Sequence, residues 1–240
     1  MSIMVLKTNP ALEFAAEYLQ RKGFNVTDVP DDQVRHLLLP IPSFAAGSKY
    51  ITPVLAALSK SVIISGGNLD HLVLDAYHTV DFLKDPYYLA HNAAITAECA
   101  IRLVKKNWRD LPVLILGWGR IGKCLGKALG ELGANVAIAA RKETDLAIIQ
   151  ALGANSVPID DITSDLGRYS VIFNTVPEMI LPELNCHPDC IAVELASKPG
   201  MAGREILSAR GLPGKYAPEA SGELIAKTFI RLSLGKEETL

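Results

Sequence analysis

An unbroken apolar run, Leu111-Pro112-Val113-Leu114-Ile115-Leu116, leads directly into Gly117-Trp118-Gly119-Arg120-Ile121-Gly122. A run of this kind closed by glycine reads as a strand buried in a parallel sheet, and the glycines read as the turn that opens the next helix. Gly117 would make the tight turn. Gly119 would let the backbone approach a pyrophosphate, and Gly122 would let helix and strand pack closely. The expected continuation follows, with a helix over 123–132 and a second strand over 135–140. Strand, glycine turn, helix and strand in this order predict a βαβ unit whose helix N-terminus receives an anion. A glycine-rich turn with no ligand is the plainer alternative, and the ordered context favours a Rossmann dinucleotide-binding domain.

The end of the second strand narrows the choice of dinucleotide. An Asp or Glu there usually holds the ribose 2′-hydroxyl of NAD, and this chain has Ala139-Ala140-Arg141-Lys142 instead. Two cations where a 2′-phosphate would sit predict NADP, against the alternative of a solvated basic pair.

Composition excludes several other classes. The formal net charge over 240 residues is −2, and nucleic acids or anionic membranes need a concentrated basic face. No apolar run approaches the length of a membrane helix, and the N-terminus reads as a first strand rather than a signal peptide, so a cytoplasmic location is expected. Cys99 and Cys124 fall among apolar neighbours on expected helices. Cys186-His187-Pro188-Asp189-Cys190 matches no common zinc spacing and reads as a loop entering a strand, so no metal is expected.

Short strands alternate with helices throughout, the α/β pattern. Strands are expected at 3–7, 25–28, 36–39 and 61–65, with helices at 11–21, 52–58 and 69–77. Pro40-Ile41-Pro42-Ser43 and Ser65-Gly66-Gly67-Asn68 follow strands directly, where open α/β sheets place ligands. Asp85-Pro86 punctuates the chain before a long apolar helix over 88–107. Beyond the first βαβ unit, a helix at 143–152 precedes strands at 156–159, 171–175 and 191–195. A helix at 203–209, a loop at 211–215 and a terminal helix at 218–234 complete the chain. This divides it into an N-terminal substrate domain (1–90), a linking helix (91–110), the NADP-binding domain (111–214) and a C-terminal segment (215–240) that packs back on the first domain.

Four loops of the second sheet should face one crevice: 117–122, Arg141-Lys142, Asn174-Thr175-Val176-Pro177 and Ala196-Ser197-Lys198-Pro199-Gly200. The third would lie along the nicotinamide ribose. Lys198 with Ser197 could hold a substrate carboxylate or polarise a carbonyl, against the alternative of a turn lysine in solvent. Asn92, Thr96 and Glu98 are placed at the start of the long helix, whose free N–H groups favour an anion. Thr96, Glu98, Ser197 and Lys198 are therefore the catalytic candidates. No Ser–His–Asp or Cys–His arrangement is legible.

These segments, with Gly211-Leu212-Pro213-Gly214 and Ala217-Pro218, together resemble the dipicolinate synthase A-subunit family of spore-forming bacteria, relatives of the D-2-hydroxyacid dehydrogenases. The resemblance is strong from about Asn92 to Ile230. It implies a smaller flavodoxin-like N-terminal α/β lobe completed by the C-terminal helix, beside the Rossmann domain. It also implies a sporulation role in dipicolinic acid biosynthesis: oxidation of a hydroxylated tetrahydrodipicolinate, or its dehydrated form, to pyridine-2,6-dicarboxylate with NADP⁺ as hydride acceptor. A flavoprotein-like B-subunit partner and a homo-oligomer are expected with it. The chain departs from the wider superfamily, which has an arginine where Lys198 stands and a histidine where Glu219 follows Pro218. Two alternatives stay open: another NADP-dependent oxidoreductase of a small carboxylate, and a non-catalytic NADP(H)-binding subunit.

Overall fold

Two all-parallel sheets organise the chain, as expected when strands of two to six residues alternate with crossover helices. They were resolved in a computed structural model that describes residues 2–45, 47–203 and 205–235. The chain divides into two compact units, Met1–Asn92 with Pro213–Leu240, and Ala93–Leu212.

The first unit begins with β1 (Ser2–Val5), α1 (Pro10–Arg21), β2 (Asn25–Thr27), β3 (Val34–Leu38), α2 (Ile51–Ala57), β4 (Ile63–Gly66) and β5 (His78–Asp81). Its strand order is β2-β1-β3-β4-β5, the flavodoxin-like arrangement. α1 starts where it does because Asn9 Oδ1 accepts the Leu12 N–H at 3.1 Å and Pro10 takes the first helical position. Its buried stripe is Ala11, Leu12, Ala15, Ala16 and Leu19. Against it packs the last helix of the chain, α7, whose Gly222 permits the approach: a β-carbon there would overlap Ala11 O.

The boundary between the units falls within α3 (Pro86–Val104). The second unit then runs β6 (Pro112–Leu116), α4 (Arg120–Glu131), β7 (Asn135–Ala140), α5 (Glu143–Ala151), β8 (Asn155–Pro158), β9 (Val171–Asn174), β10 (Ile191–Glu194) and β11 (Leu207–Ser208), before α6 (Leu212–Tyr216) and α7 (Pro218–Ser233). Its strand order, β11-β10-β9-β6-β7-β8, is that of the Rossmann fold. α4 buries Gly122, Leu125 and Leu129 along one face, at helical spacing.

Three expectations are corrected. Residues 69–77 form no α-helix, only a 3₁₀ turn at Leu72–Leu74. The Asp81 carboxylate captures the Asn68 and Leu69 N–H groups at 3.2 and 3.1 Å, and His71 Nδ1 accepts from Val73 N, so local side-chain bonds outcompete the helix. The helix expected over 203–209 is absent at its described residues: Gly203 has φ +98° and Leu207–Ser208 pairs with β10, while Arg204 lies outside the described residues. The loop expected at 211–215 is largely the short helix α6. Residues 236–240 of the C-terminal segment also lie outside the described residues.

Candidate functional site

In the second sheet β6 lies between β7 and β9, so the chain leaves β6 at the point where strand order reverses. Leu116, the last residue of β6, stands opposite both Ala139 and Asn174, which brings the ends of the three strands level. Ligands of open parallel sheets bind in the crevice that opens there.

The three glycines differ in their surroundings. Gly117 has φ +101°, and its N–H donates to Ala139 O at 2.9 Å. A β-carbon at Gly117 would come within 2.7 Å of Thr175 Oγ1 and Val176 Cγ2. Thr175 Oγ1 in turn donates to Leu116 O at 2.8 Å, so it braces the turn. A β-carbon at Gly122 would overlap Gly117 O. Gly119 differs: nothing lies within 4 Å of its β-carbon position, and no side chain caps the N-terminus of α4 that it begins. Open space thus adjoins a helix start whose amides have no side-chain acceptor, the geometry an incoming phosphate needs. The Trp118 side chain lines a groove of about 900 Å³ with Gly126, Ile138, Ile148 and Leu152, and Lys123 Nζ stands 5.7 Å from its ring centre.

Arg141 and Lys142 follow β7 directly, both exposed. Arg141 is engaged: Nη2 lies 2.5 Å from Glu178 Oε2, with both side chains more than half exposed. Lys142 stands at the N-cap of α5, where its carbonyl accepts from Asp145 and Leu146.

On the other side of β6, Asn174 is fully buried and does not face the crevice as a free amide. Its Oδ1 accepts from Val176 N at 3.0 Å, and its Nδ2 donates to Val176 O and to Glu194 Oε1 at 3.0 and 2.8 Å. Glu194, also buried, collects the Ala196 N–H at 3.0 Å and the Gly200 N–H at 2.8 Å. One carboxylate therefore fixes the loops after β9 and β10. Gly200 is required at this point, since a β-carbon would overlap Asn174 Nδ2. Ser197, Lys198 and Pro199, at the crest of the pinned loop, are exposed, as are Pro177 and Glu178. Sequence reasoning missed Glu194, although a lone acid ending the apolar run Ile191-Ala192-Val193 was the signal.

The placement of Asn92, Thr96 and Glu98 at a helix start is corrected. α3 begins at Pro86, so all three lie well inside it, where backbone N–H groups bond along the helix. The true start is already occupied by an anion of the chain: Asp85 Oδ2 accepts from Tyr88 N at 2.7 Å and from Arg231 Nη2 at 2.5 Å. Thr96 is buried, and the exposed Glu98 lies 3.8 Å from Arg102.

In the first unit, a cleft of about 510 Å³ opens between the ends of β1 and β3, lined by Leu6, Thr8, Asn9, Ile41, Ser43 and Tyr50 among others. This is the switch point of that sheet. Ser43 Oγ ties its wall together, donating to Pro40 O at 2.7 Å and accepting from Gly67 N at 3.1 Å. Burial pushes the Cys99 and Cys124 thiols up, away from nucleophilic reactivity. Among the described residues no three His, Cys, Asp or Glu side chains gather as a metal site, and no helix is long and apolar enough to cross a membrane.

No family model matches the chain. It is 26 % identical over 183 residues to the dipicolinate synthase A-subunit of Bacillus subtilis (strain 168), which is 65 % of this chain and 60 % of that protein. The match therefore spans less than two thirds of the curated relative's length. The crystal structure of the dipicolinate synthase A-subunit from Bacillus halodurans shares the fold with a TM-score of 0.82 at 20 % identity, over 99 % of this chain and 98 % of that one. A transhydrogenase from Sinorhizobium meliloti has a TM-score of 0.73 at 12 % identity, over 95 % and 92 % of the two chains. Curated and structural neighbours alike thus match the dipicolinate synthase A-subunit, and the two parallel sheets are those of Rossmann-like dehydrogenase folds.

Proposed function

We propose that this chain is the dehydrogenase subunit of a dipicolinate synthase and uses NADP⁺. The observation that carries the cofactor half is the crevice at β6: an uncapped α4 N-terminus beside open space at Gly119, with β7 ending in Ala140 rather than an acid and Arg141 following it. The first-turn amides at Arg120, Ile121 and Gly122 would take the pyrophosphate, Arg141 and Lys142 the 2′-phosphate, and Thr175-Val176-Pro177 the edge of the nicotinamide ribose, with Asn174 shaping that loop from beneath. When bound, the dinucleotide supplies the hydride acceptor.

The substrate half rests on the resemblance to the A-subunit family. A hydroxylated tetrahydrodipicolinate that loses water, a hydride and a proton becomes pyridine-2,6-dicarboxylate, and the aromatic ring gained supplies driving force. Lys198 is the cation offered to one carboxylate, with Ser197 beside it as a hydroxyl donor. Thr96 and Glu98 keep a place as candidates for the reacting end on residue type alone. A flavoprotein-like B-subunit partner belongs to this reading, as does a cytoplasmic, sporulation-linked role.

The experiment is a titration of the purified chain with NADP⁺ and NAD⁺. It is followed by NADPH fluorescence on addition of the tetrahydrodipicolinate precursor, with and without the B-subunit. Arg141→Ala should cost NADP⁺ about 1.5–3 kcal/mol and leave NAD⁺ nearly unchanged. Equal losses for both dinucleotides would remove the 2′-phosphate assignment. Nucleotide binding without NADPH formation in any combination would leave a nucleotide-binding subunit without catalysis.

A further inference from the structure

Arg141 has an ion-pair partner that no local pattern announces, and its position in the sheet gives it a consequence. Arg141 follows β7 and Glu178 lies in the loop after β9, the two neighbours of β6. Their ion pair therefore runs from one side of β6 to the other, across the end of the strand that carries the glycine turn. The backbone around Glu178 is held: Val176 N donates to Asn174 Oδ1 at 3.0 Å, and Ile180 N donates to Gly200 O at 2.8 Å. The exposed Glu178 side chain extends from this anchored loop. Both partners are more than half exposed (54 % and 61 %), which makes the pair weak and easily exchanged for a stronger anion.

We propose that Glu178 is a specificity-determining residue: its carboxylate holds the anion position on Arg141 that a dinucleotide 2′-phosphate takes over, so the pair is a latch across the crevice that a 2′-phosphorylated nucleotide opens. The proposal rests on the reading of the crevice as a dinucleotide site. A phosphate dianion makes two or three charge-assisted bonds to a guanidinium and displaces the carboxylate. A nucleotide with a free 2′-hydroxyl offers no such exchange and leaves Arg141 paired with Glu178. The carboxylate thus taxes NADP⁺ slightly, while Arg141 makes the net preference.

The test uses the full chain and titration calorimetry with NADP⁺, NAD⁺, 2′-AMP and 5′-AMP. Glu178→Gln should tighten NADP⁺ and 2′-AMP by about two- to five-fold, the worth of an exposed pair, and leave NAD⁺ and 5′-AMP unchanged. The double variant Glu178→Gln/Arg141→Ala should show none of that gain. An equal gain for both members of each ligand pair overturns the latch, because Glu178 would then be a general obstruction. So does a gain that survives the loss of Arg141, which would be long-range charge alone. Selective loss of NAD⁺ in Glu178→Gln also overturns it, since Glu178 would then be an acceptor for the ribose hydroxyl. A wild-type chain that binds neither dinucleotide overturns the underlying reading. Wild-type binding without an Arg141-dependent gain overturns the latch alone.

Discussion

The buried amide of Asn174 donates to Glu194 Oε1 at 2.8 Å, adding a side-chain bond where β9 and β10 already pair through their backbones. Among the described residues three donors face that carboxylate: Asn174 Nδ2, Ala196 N and Gly200 N. Glu194→Gln keeps the shape but puts an NH₂ against at least one of those N–H groups. Leaving a buried donor unmatched costs about 1–3 kcal/mol. The denaturant midpoint should fall accordingly while the slope of the transition stays constant. A variant as stable as the wild type would show that the clamp contributes nothing.

Gly119 and Gly122 should separate binding from folding. Gly122→Ala forces a β-carbon into Gly117 O at the root of the turn, a backbone clash that relaxation cannot relieve cheaply. Overpacking of this kind costs about 1–3 kcal/mol. Gly119→Val meets open space at φ −78°, which any residue adopts, so its melting temperature should stay near that of the wild type. Dinucleotide binding should nevertheless be lost in Gly119→Val. Native melting with unchanged NADP⁺ affinity would place the phosphates elsewhere.

How far the sequence announces this arrangement depends on chain distance. Strand, glycine turn and helix from Pro112 to Glu131 are consecutive, and their signals reinforce one another. Arg141–Glu178 joins two separate loops and Asn174–Glu194 joins the ends of two strands, each pair far apart in the chain, so no local pattern encodes them. Asp85-Pro86 is legible but reads two ways. It suggests a break before a helix at Tyr88, whereas an Asp followed by Pro is also how a helix begins, with Asp85 capping and Pro86 needing no donor. β5 escapes notice because His78-Thr79-Val80-Asp81 is a short edge strand, partly exposed, with too few apolar residues to show a period.

His36 should make stability pH-dependent. It is 5 % exposed on β3, its Nδ1 has no partner among the described residues, and its ring meets Phe229 edge-on at 5.5 Å. Burial lowers its pKa below the ordinary 6.5. Well above that value the ring is neutral in both folded and unfolded chains and stability does not change. As pH falls through 6.5 the unfolded chain binds a proton that the folded chain refuses, so stability drops until the folded pKa is reached. The loss from this site is at most about 1.4 kcal/mol per pH unit. His36→Gln should flatten the dependence of unfolding free energy between about pH 7.5 and 5.5, where histidine titrates. An unchanged slope in that variant would assign acid sensitivity to other groups.

Lys198→Met tests where a dicarboxylate is held. Glu194 fixes Ala196 and Gly200 at either end of the loop, so Ser197 and Lys198 are presented from a rigid base although their side chains are exposed. Methionine keeps much of the length and apolar stem of lysine and removes only the charge, so folding and dinucleotide binding should persist. A charge-assisted contact to one carboxylate of pyridine-2,6-dicarboxylate is worth about 1.5–3 kcal/mol, or roughly a 10- to 150-fold rise in Kd. Lys198→Arg, which keeps the charge, should recover most of that loss. Dicarboxylate affinity equal in Lys198→Met and wild type would put the substrate's anchor on another loop and release Ser197 and Lys198 from the site.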